Sequence, residues 1–309
     1  GNEPALQKAG YHITPDGADI YRCASKEACP SDLLGRCPSG SSGRGCADCE
    51  DGKYVWDGDK CAKCSARDGF SVALVLLALA LAFHFVFKYG NDPIGNKFSM
   101  FSEFLILGGL SAHVLLYMNA FSGIDVKWEE PVKTIFEAGN YVLREVTRFH
   151  VSCSVKFGEV HSYAVTCLMP LIVAVLFVIL AAVGFSWQKL FNTFASITYA
   201  LYLVLVLLGL RPFRYIVHPN GSKSVLDMPA VFEGSSEHAG LVVLGILVLL
   251  LYCVPFAAVC CYASYRIAVT TKNSKRRWWL RTFRFLFYKF HPDFYFWGVI
   301  ILLRNACFA

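Results

Sequence analysis

Hydrophobic positions in this chain gather in long unbroken blocks, not in the alternating or three-and-four spacing of a soluble domain. Gly69–Phe87 contains no Asp, Glu, Lys or Arg, and neither do Phe104–Gly123, Ser162–Trp187, Leu190–Leu210 or Ala239–Tyr265. Each block holds at least 19 residues, and a helix of about 20 crosses the hydrocarbon core of a bilayer. Lipid offers the backbone no water, so each segment must satisfy its own N–H and C=O groups, as a helix does. Barrel strands are about 10 residues long and alternate in polarity, which these blocks do not. A sixth block starts at Phe294, meets Arg304 and stops at Ala309. The pattern predicts an all-α polytopic membrane protein of about six transmembrane helices, the last incomplete. Spans are expected near 69–88, 101–122, 162–187, 190–210, 239–265 and 294–309. Together they form a multi-pass domain, 69–309, behind an N-terminal head, 1–68. A start at Gly1 and an end inside an apolar run read as a piece of a longer product.

Composition strengthens this picture. Apolar residues make up 55% of the chain, charged residues 17%, and the mean hydropathy is +0.45. Soluble domains carry roughly a quarter charged residues. A soluble enzyme, a disordered tail and a nucleic-acid-binding domain are excluded as the main reading.

The net charge of +6 is unevenly placed. Segments 88–97, 188–189 and 266–290 hold eleven Lys and Arg residues against one acid, Asp92. Segments 1–68, 124–161 and 211–238 mix both signs. By the excess of cations on cytoplasmic loops, the head is expected to be extracellular or lumenal and 266–290 cytosolic. The sequon Asn220-Gly221-Ser222, a glycosylation candidate at Asn220, falls on the outer side with the cysteine-rich region.

Seven of the thirteen cysteines lie in the head: Cys23, Cys29, Cys37, Cys46, Cys49, Cys61 and Cys64. The text around them is rich in Gly, Ser and Asp, too poor in aliphatic side chains to build a core alone. Disulfides would supply the missing stability, about 2–4 kcal/mol each. The rival is zinc, because Cys46-x-x-Cys49 and Cys61-x-x-Cys64 have the spacing of a four-thiolate ribbon. An oxidising outer compartment favours disulfides. Seven is odd, so one thiol is free or pairs elsewhere, with Cys153 the nearest candidate on that side. The cysteines inside the apolar blocks read as small fillers.

Cys37-Pro-Ser-Gly-Ser-Ser-Gly-Arg-Gly-Cys46-Ala-Asp-Cys49, followed by Gly52-Lys-Tyr and Cys61-Ala-Lys-Cys64, resembles the EGF-like, ephrin-receptor-like cysteine-rich repeat. In large surface proteins of alveolate and other protist type, that repeat precedes a multi-pass membrane region. The stretch Trp128 to Pro131, the run Tyr252-Cys-Val-Pro255 and the block Phe283 to Gly298 are similar to such a region, which is distantly like a transient-receptor-potential channel. The resemblance implies a receptor- or channel-like membrane module; the absence of a catalytic motif, not the resemblance, argues against an enzyme.

Three groups of residues carry candidate chemistry. In the segment 275–290, Trp279, Phe283, Leu286 and Phe290 share one helical face and Arg277, Arg281 and Arg284 the opposite one. That predicts an interfacial helix, arginines on anionic lipid headgroups and rings in the acyl boundary. Arg304 falls about 15 Å into its span at 1.5 Å per residue, where an arginine needs a partner or a pathway. Glu103 is the acid that would pair with it. His84 and His113 lie inside the first two spans, where an imidazole is a candidate ligand for a metal or a chlorophyll-type pigment. The outer loop 126–150 carries Val132, Ile135, Phe136, Tyr141, Val142 and Val146 among charges, the pattern of an amphipathic surface helix. Gly108 and Gly109 would admit close helix approach, and Pro170 and Pro255 would kink their helices.

No HExxH, GxSxG, Walker A or filter-like motif occurs. Besides the receptor- or channel-like module, the span histidines and apolar surfaces fit a structural accessory subunit of a larger membrane complex, energy-transducing or photosynthetic. The expected partners are membrane lipids and other membrane subunits, not nucleic acid.

Overall fold

The computed structural model describes residues 7–31, 34–50, 54–56, 60–64, 128–147, 159–269, 274–287 and 294–307, with single helical positions between 77 and 88 and between 111 and 118. The chain is mostly helical and opens with a disulfide-rich region. It separates into two compact units. One comprises Gly1–Leu76, Arg148–Leu168 and Gly209–Leu247, the other Leu77–Thr147, Met169–Leu208 and Val248–Ala309.

In the first unit the head folds as short antiparallel hairpins. Strand β1 (Tyr11–Ile13) pairs with β2 (Ile20–Arg22), β3 (Ser41–Ser42) with β4 (Asp48–Cys49), and β5 (Tyr54–Trp56) with β6 (Cys61–Lys63). The β1–β2 turn runs through Pro15-Asp16-Gly17, where Gly17 takes φ +70°. The Asp16 carboxylate accepts the Ala18 N–H at 3.3 Å, and the Thr14 hydroxyl oxygen accepts the Asp19 N–H at 3.0 Å. Such side-chain bonds replace the ladder that a two- or three-residue strand cannot provide. The small core is sulfur: Cys23, Cys29 and Cys46 are buried with Ala28, and Cys37 packs against them.

The loop 211–238 is part of the same unit and forms a three-stranded sheet: β7 (Tyr215–Val217), β8 (Lys223–Val225) and β9 (Met228–Phe232). Its alternation puts Ile216, Val225, Met228 and Val231 inside, as a one-sided antiparallel sheet requires. The Arg211 guanidinium pairs with Asp227 at 3.1 Å.

The helices are α1 (Val132–Thr147), α2 (Glu159–Ala182), α3 (Trp187–Ala200), α4 (Tyr202–Leu210), α5 (Ser236–Val248), α6 (Val254–Val269), α7 (Ser274–Thr282), α8 (Arg284–Phe287) and α9 (Trp297–Cys307). Among the described residues two helices are long and apolar enough to cross a membrane, Val160–Ala182 and Ser236–Val269. A third counts if Trp187–Ala200 and Tyr202–Phe213, bent by 57°, form one span. The expected spans 69–88 and 101–122 fall largely outside the described residues. The last block is helical for 11 residues, short of the roughly 20 a bilayer needs.

Two boundaries differ from the expected 162–187 and 190–210. Gly184 ends α2 in the left-handed region, φ +107°. There the Phe185 N–H bonds to Leu180 O and the Gly184 N–H to Ala181 O, the Schellman arrangement that closes a helix. The next block is not straight, because Leu201 leaves helical geometry at φ −93°, ψ 7°. Between α5 and α6, Leu249–Cys253 is a π-helical turn in which the Val254 N–H bonds to Leu249 O. This turn ends two residues before Pro255, whose missing N–H breaks the ordinary register.

Inside the second unit, α7 and α8 pack on α3. The Asn192 Oδ1 accepts the Phe285 N–H at 3.0 Å, and the rings of Phe191 and Phe283 meet edge to face at 5.3 Å. Leu286 is fully buried. Helix α1 forms where the outer-loop pattern places one, with Val132 and Ile135 exposed and Phe136 half-buried against Trp128.

Candidate functional site

The cysteines resolve the choice between sulfur bridges and zinc. Disulfides join Cys23 to Cys29, Cys37 to Cys46 and Cys49 to Cys61. Cys64 is also disulfide-bonded. The four-thiolate ribbon does not form, because Cys46 and Cys49 each pair with a different partner. His12 lies close to Cys37 and Cys46 in a grouping that matches metal-ligand spacing. Both thiols are spent in one disulfide, so the grouping lacks the thiolates a soft metal requires. Cys153 lies outside the described residues. Cys167, Cys253, Cys260, Cys261 and Cys307 are free thiols.

Among the described residues of the first unit, the most connected polar centre is a histidine that the sequence did not single out. His218 is 4% exposed. Its Nδ1 accepts the backbone N–H of Arg22, 196 residues away, at 3.1 Å. An Nδ1 that accepts carries no proton, so the neutral ring has its hydrogen on Nε2. That hydrogen is donated to the Ser224 hydroxyl, at 2.9 Å. Tyr21 and Phe232 flank the ring at 5.6 Å each, and the Arg44 guanidinium lies over Phe232 at 5.5 Å. Asn220 adds a second bond between loop and head, its amide donating to the Asp19 carboxylate at 3.2 Å. The same Asn220 Oδ1 accepts from the Ser222 N–H and hydroxyl, and the sequon is exposed. Burial is the main cause that pushes the His218 pKa down; the Arg22 backbone offsets part of this, and the Arg22 charge adds a smaller lowering. Burial likewise lowers His12, whose Nδ1 accepts the Gly45 N–H at 3.4 Å. A third buried histidine, His238, meets the Tyr215 hydroxyl and Pro212 O at 3.1 and 3.3 Å.

The basic segment is not one continuous amphipathic helix. It breaks at Phe283, and Phe283, Phe285, Leu286 and Phe287 are buried in protein, whereas lipid was the expected cover for Phe283 and Leu286. A helical period reveals an apolar face but not what covers it, and here α3 does. Arg277 and Arg281 are exposed and Arg284 is half-buried. Residues 288–290, the end of the expected interfacial helix, lie outside the described residues.

Arg304 is exposed on α9, and its guanidinium donates to the Tyr117 hydroxyl at 2.6 Å and to Asn305 Oδ1 at 3.2 Å. Its carbon also lies 5.2 Å from the centre of the Tyr117 ring. The Tyr117 hydroxyl donates in turn to Asn305, which is buried. Arg304 is thus held by neutral oxygens and a ring face, and its expected partner Glu103 lies outside the described residues. His84 is an exposed helical position, and His113 lies outside the described residues. Gly108 and Gly109 do too. Close approach is instead seen at Gly245, where an added Cβ would stand 2.6 Å from Gly209 O, and at Gly298, where it would stand 2.6 Å from Leu286 Cδ1.

No protein-family model matches the chain, and neither the curated proteins nor the solved structures contain a match. What the sequence and the fold define together is a cysteine-rich, disulfide-bonded chain with apolar helices of membrane-crossing length.

Proposed function

We propose that this chain is a non-enzymatic integral membrane protein, the membrane module of a receptor- or channel-like cysteine-rich protein. The observation that carries this reading is the packing of the disulfide-bonded head on the 211–238 sheet, a sheet framed on both sides in sequence by apolar helices. Those helices keep large aliphatic surfaces open. Leu171, Ile172, Val175, Val178, Leu250 and Leu251 are each about half exposed, which suits lipid tails and not water. In this reading six spans thread the bilayer, the head is extracellular or lumenal, and 266–290 is cytosolic. Arg277 and Arg281 then face anionic headgroups. Reconstitution of the protein in lipid tests the reading. Currents, or gating changes under voltage, stretch or lipid stimuli, are expected; silence under all three contradicts it.

A second reading, an accessory subunit of a larger membrane complex, is favoured by Arg304. An exposed arginine on an apolar helix is costly in lipid unless a neighbouring chain covers it. Native mass measurement on mildly solubilised protein separates the two. Co-purifying chains, or a pigment on His84 or His113, favour the subunit; migration as a lone chain excludes it.

A further inference from the structure

His218 ties together two stretches of chain that sequence separation would leave independent. One side of the contact is β2 of the head, which offers the Arg22 N–H; the other is the sheet β7–β9, which carries the imidazole at the end of β7. The bond exists only while Nδ1 is unprotonated. A proton there would point at the Arg22 N–H, turning an attraction between acceptor and donor into a repulsion between two donors. The ring has no room to turn away, being 4% exposed between Tyr21 and Phe232 and bonded to Ser224 on its other nitrogen.

We propose that His218 is an acid-released latch: neutral, it holds the cysteine-rich head on the 211–238 sheet, and protonation of Nδ1 frees the head from the sheet. The proposal rests on the geometry of the first unit and does not depend on the receptor- or channel-like reading.

The charges around the ring oppose an imidazolium. Arg22, on β2, carries one of them. Arg44 stands over Phe232, and Lys223 on β8 is paired with Glu233 at 3.4 Å. Asp19, the acid on the head side, is engaged by the Asn220 amide, and Tyr21 contributes a neutral ring. Burial among these groups lowers the pKa of the folded state. The unfolded chain therefore binds more protons than the folded one just below the ordinary value of about 6.5. The neutral ring's contribution is complete above that pH and is lost as the pH falls through it toward the folded value.

The test is amide hydrogen exchange on the full chain in nanodiscs, corrected for the intrinsic pH dependence of exchange. Loss of one such bond lowers protection at Arg22 about tenfold between about pH 7.5 and the acid end of the His218 titration. In His218→Asn the Asn Oδ1 replaces Nδ1 as acceptor and cannot be protonated, so protection at Arg22 becomes independent of pH. His12 still titrates in that variant, and its effect is read separately at Gly45. An equal drop at Arg22 in His218→Asn, or no drop in the wild type, overturns the proposal. Should the variant misfold, the wild type decides alone. Exchange of the His218 C2 proton reports its titration, which must share a midpoint with the loss of protection at Arg22. Two separate midpoints overturn the latch.

Discussion

The Tyr199 hydroxyl donates to the carbonyl oxygen of Gly298 at 3.0 Å, joining α3 to α9 across 99 residues of sequence. Both residues are buried. Tyr199→Phe keeps the ring and removes this bond while the carbonyl keeps its place in the α9 ladder, at a cost of about 0.5–1.5 kcal/mol. Gly298→Val meets a harder obstacle. Its Cβ would stand 2.9 Å from the Leu286 backbone oxygen, which cannot swing away as the Leu286 side chain can. Overpacking of this kind costs about 1–3 kcal/mol or more. Thermal unfolding in detergent is expected to show both losses, the glycine variant's being at least as large.

Gly245 plays the same part in the first unit. Gly245→Leu would place a side chain where Gly209 O and Pro212 already stand, at 2.6 and 3.1 Å. The expected outcome is a lower melting temperature together with faster proteolysis of the 211–238 sheet. Gly240→Leu, on the same helix with open space around it, leaves both unchanged.

The head depends on its bridges. Non-reducing peptide mapping is expected to recover Cys23–Cys29, Cys37–Cys46 and Cys49–Cys61. The fourth bridge is predicted to join Cys64 to Cys153, since the other eleven cysteines are either in these three pairs or free. Paired Cys37→Ala and Cys46→Ala substitution costs the head about 2–4 kcal/mol. Protease resistance of the head should fall accordingly.

Arg304 is held through directional donors. Arg304→Lys keeps the charge but cannot offer two guanidinium N–H groups in the plane that reaches Tyr117 and Asn305. A loss of about 1 kcal/mol is expected. Tyr117→Phe is predicted to remove most of the difference between Arg and Lys at 304, a coupling readable from a double-mutant cycle of unfolding midpoints.

Much of this was legible from hydrophobic patterning. The blocks at 162–187 and 239–265 overlap the two long apolar helices, Val160–Ala182 and Ser236–Val269, and the outer-loop pattern around Val132 and Phe136 marks α1. The cysteine density identified a disulfide head, but pairing depends on how the chain doubles back, which spacing does not encode. The 211–238 sheet was missed because its strands are three to five residues long, too short for a period to stand out. With the sheet went His218, whose role comes from a partner 196 positions away. The periodicity from Arg277 to Phe290 correctly marked Phe283 and Leu286 as apolar and in register. It could not reveal that Phe191, Asn192 and Tyr199 of α3 fill the space assigned to lipid. Arg304 stood out by its cost, yet its holders, Tyr117 and Asn305, are uncharged and carry no such signal.

The proposed reading requires the cysteine-rich head and the 211–238 sheet on one face of a membrane and the Arg277–Arg281 segment on the other. Trypsin applied to sealed vesicles of known orientation, with the fragments read by mass spectrometry, tests it directly. Cleavage is expected at Arg277 and Arg281 from the face assigned to the cytosol, while Arg22, Arg44 and Lys223 stay intact until the vesicles are opened. Cleavage of both sets from a single face, in vesicles shown to be sealed, would contradict it.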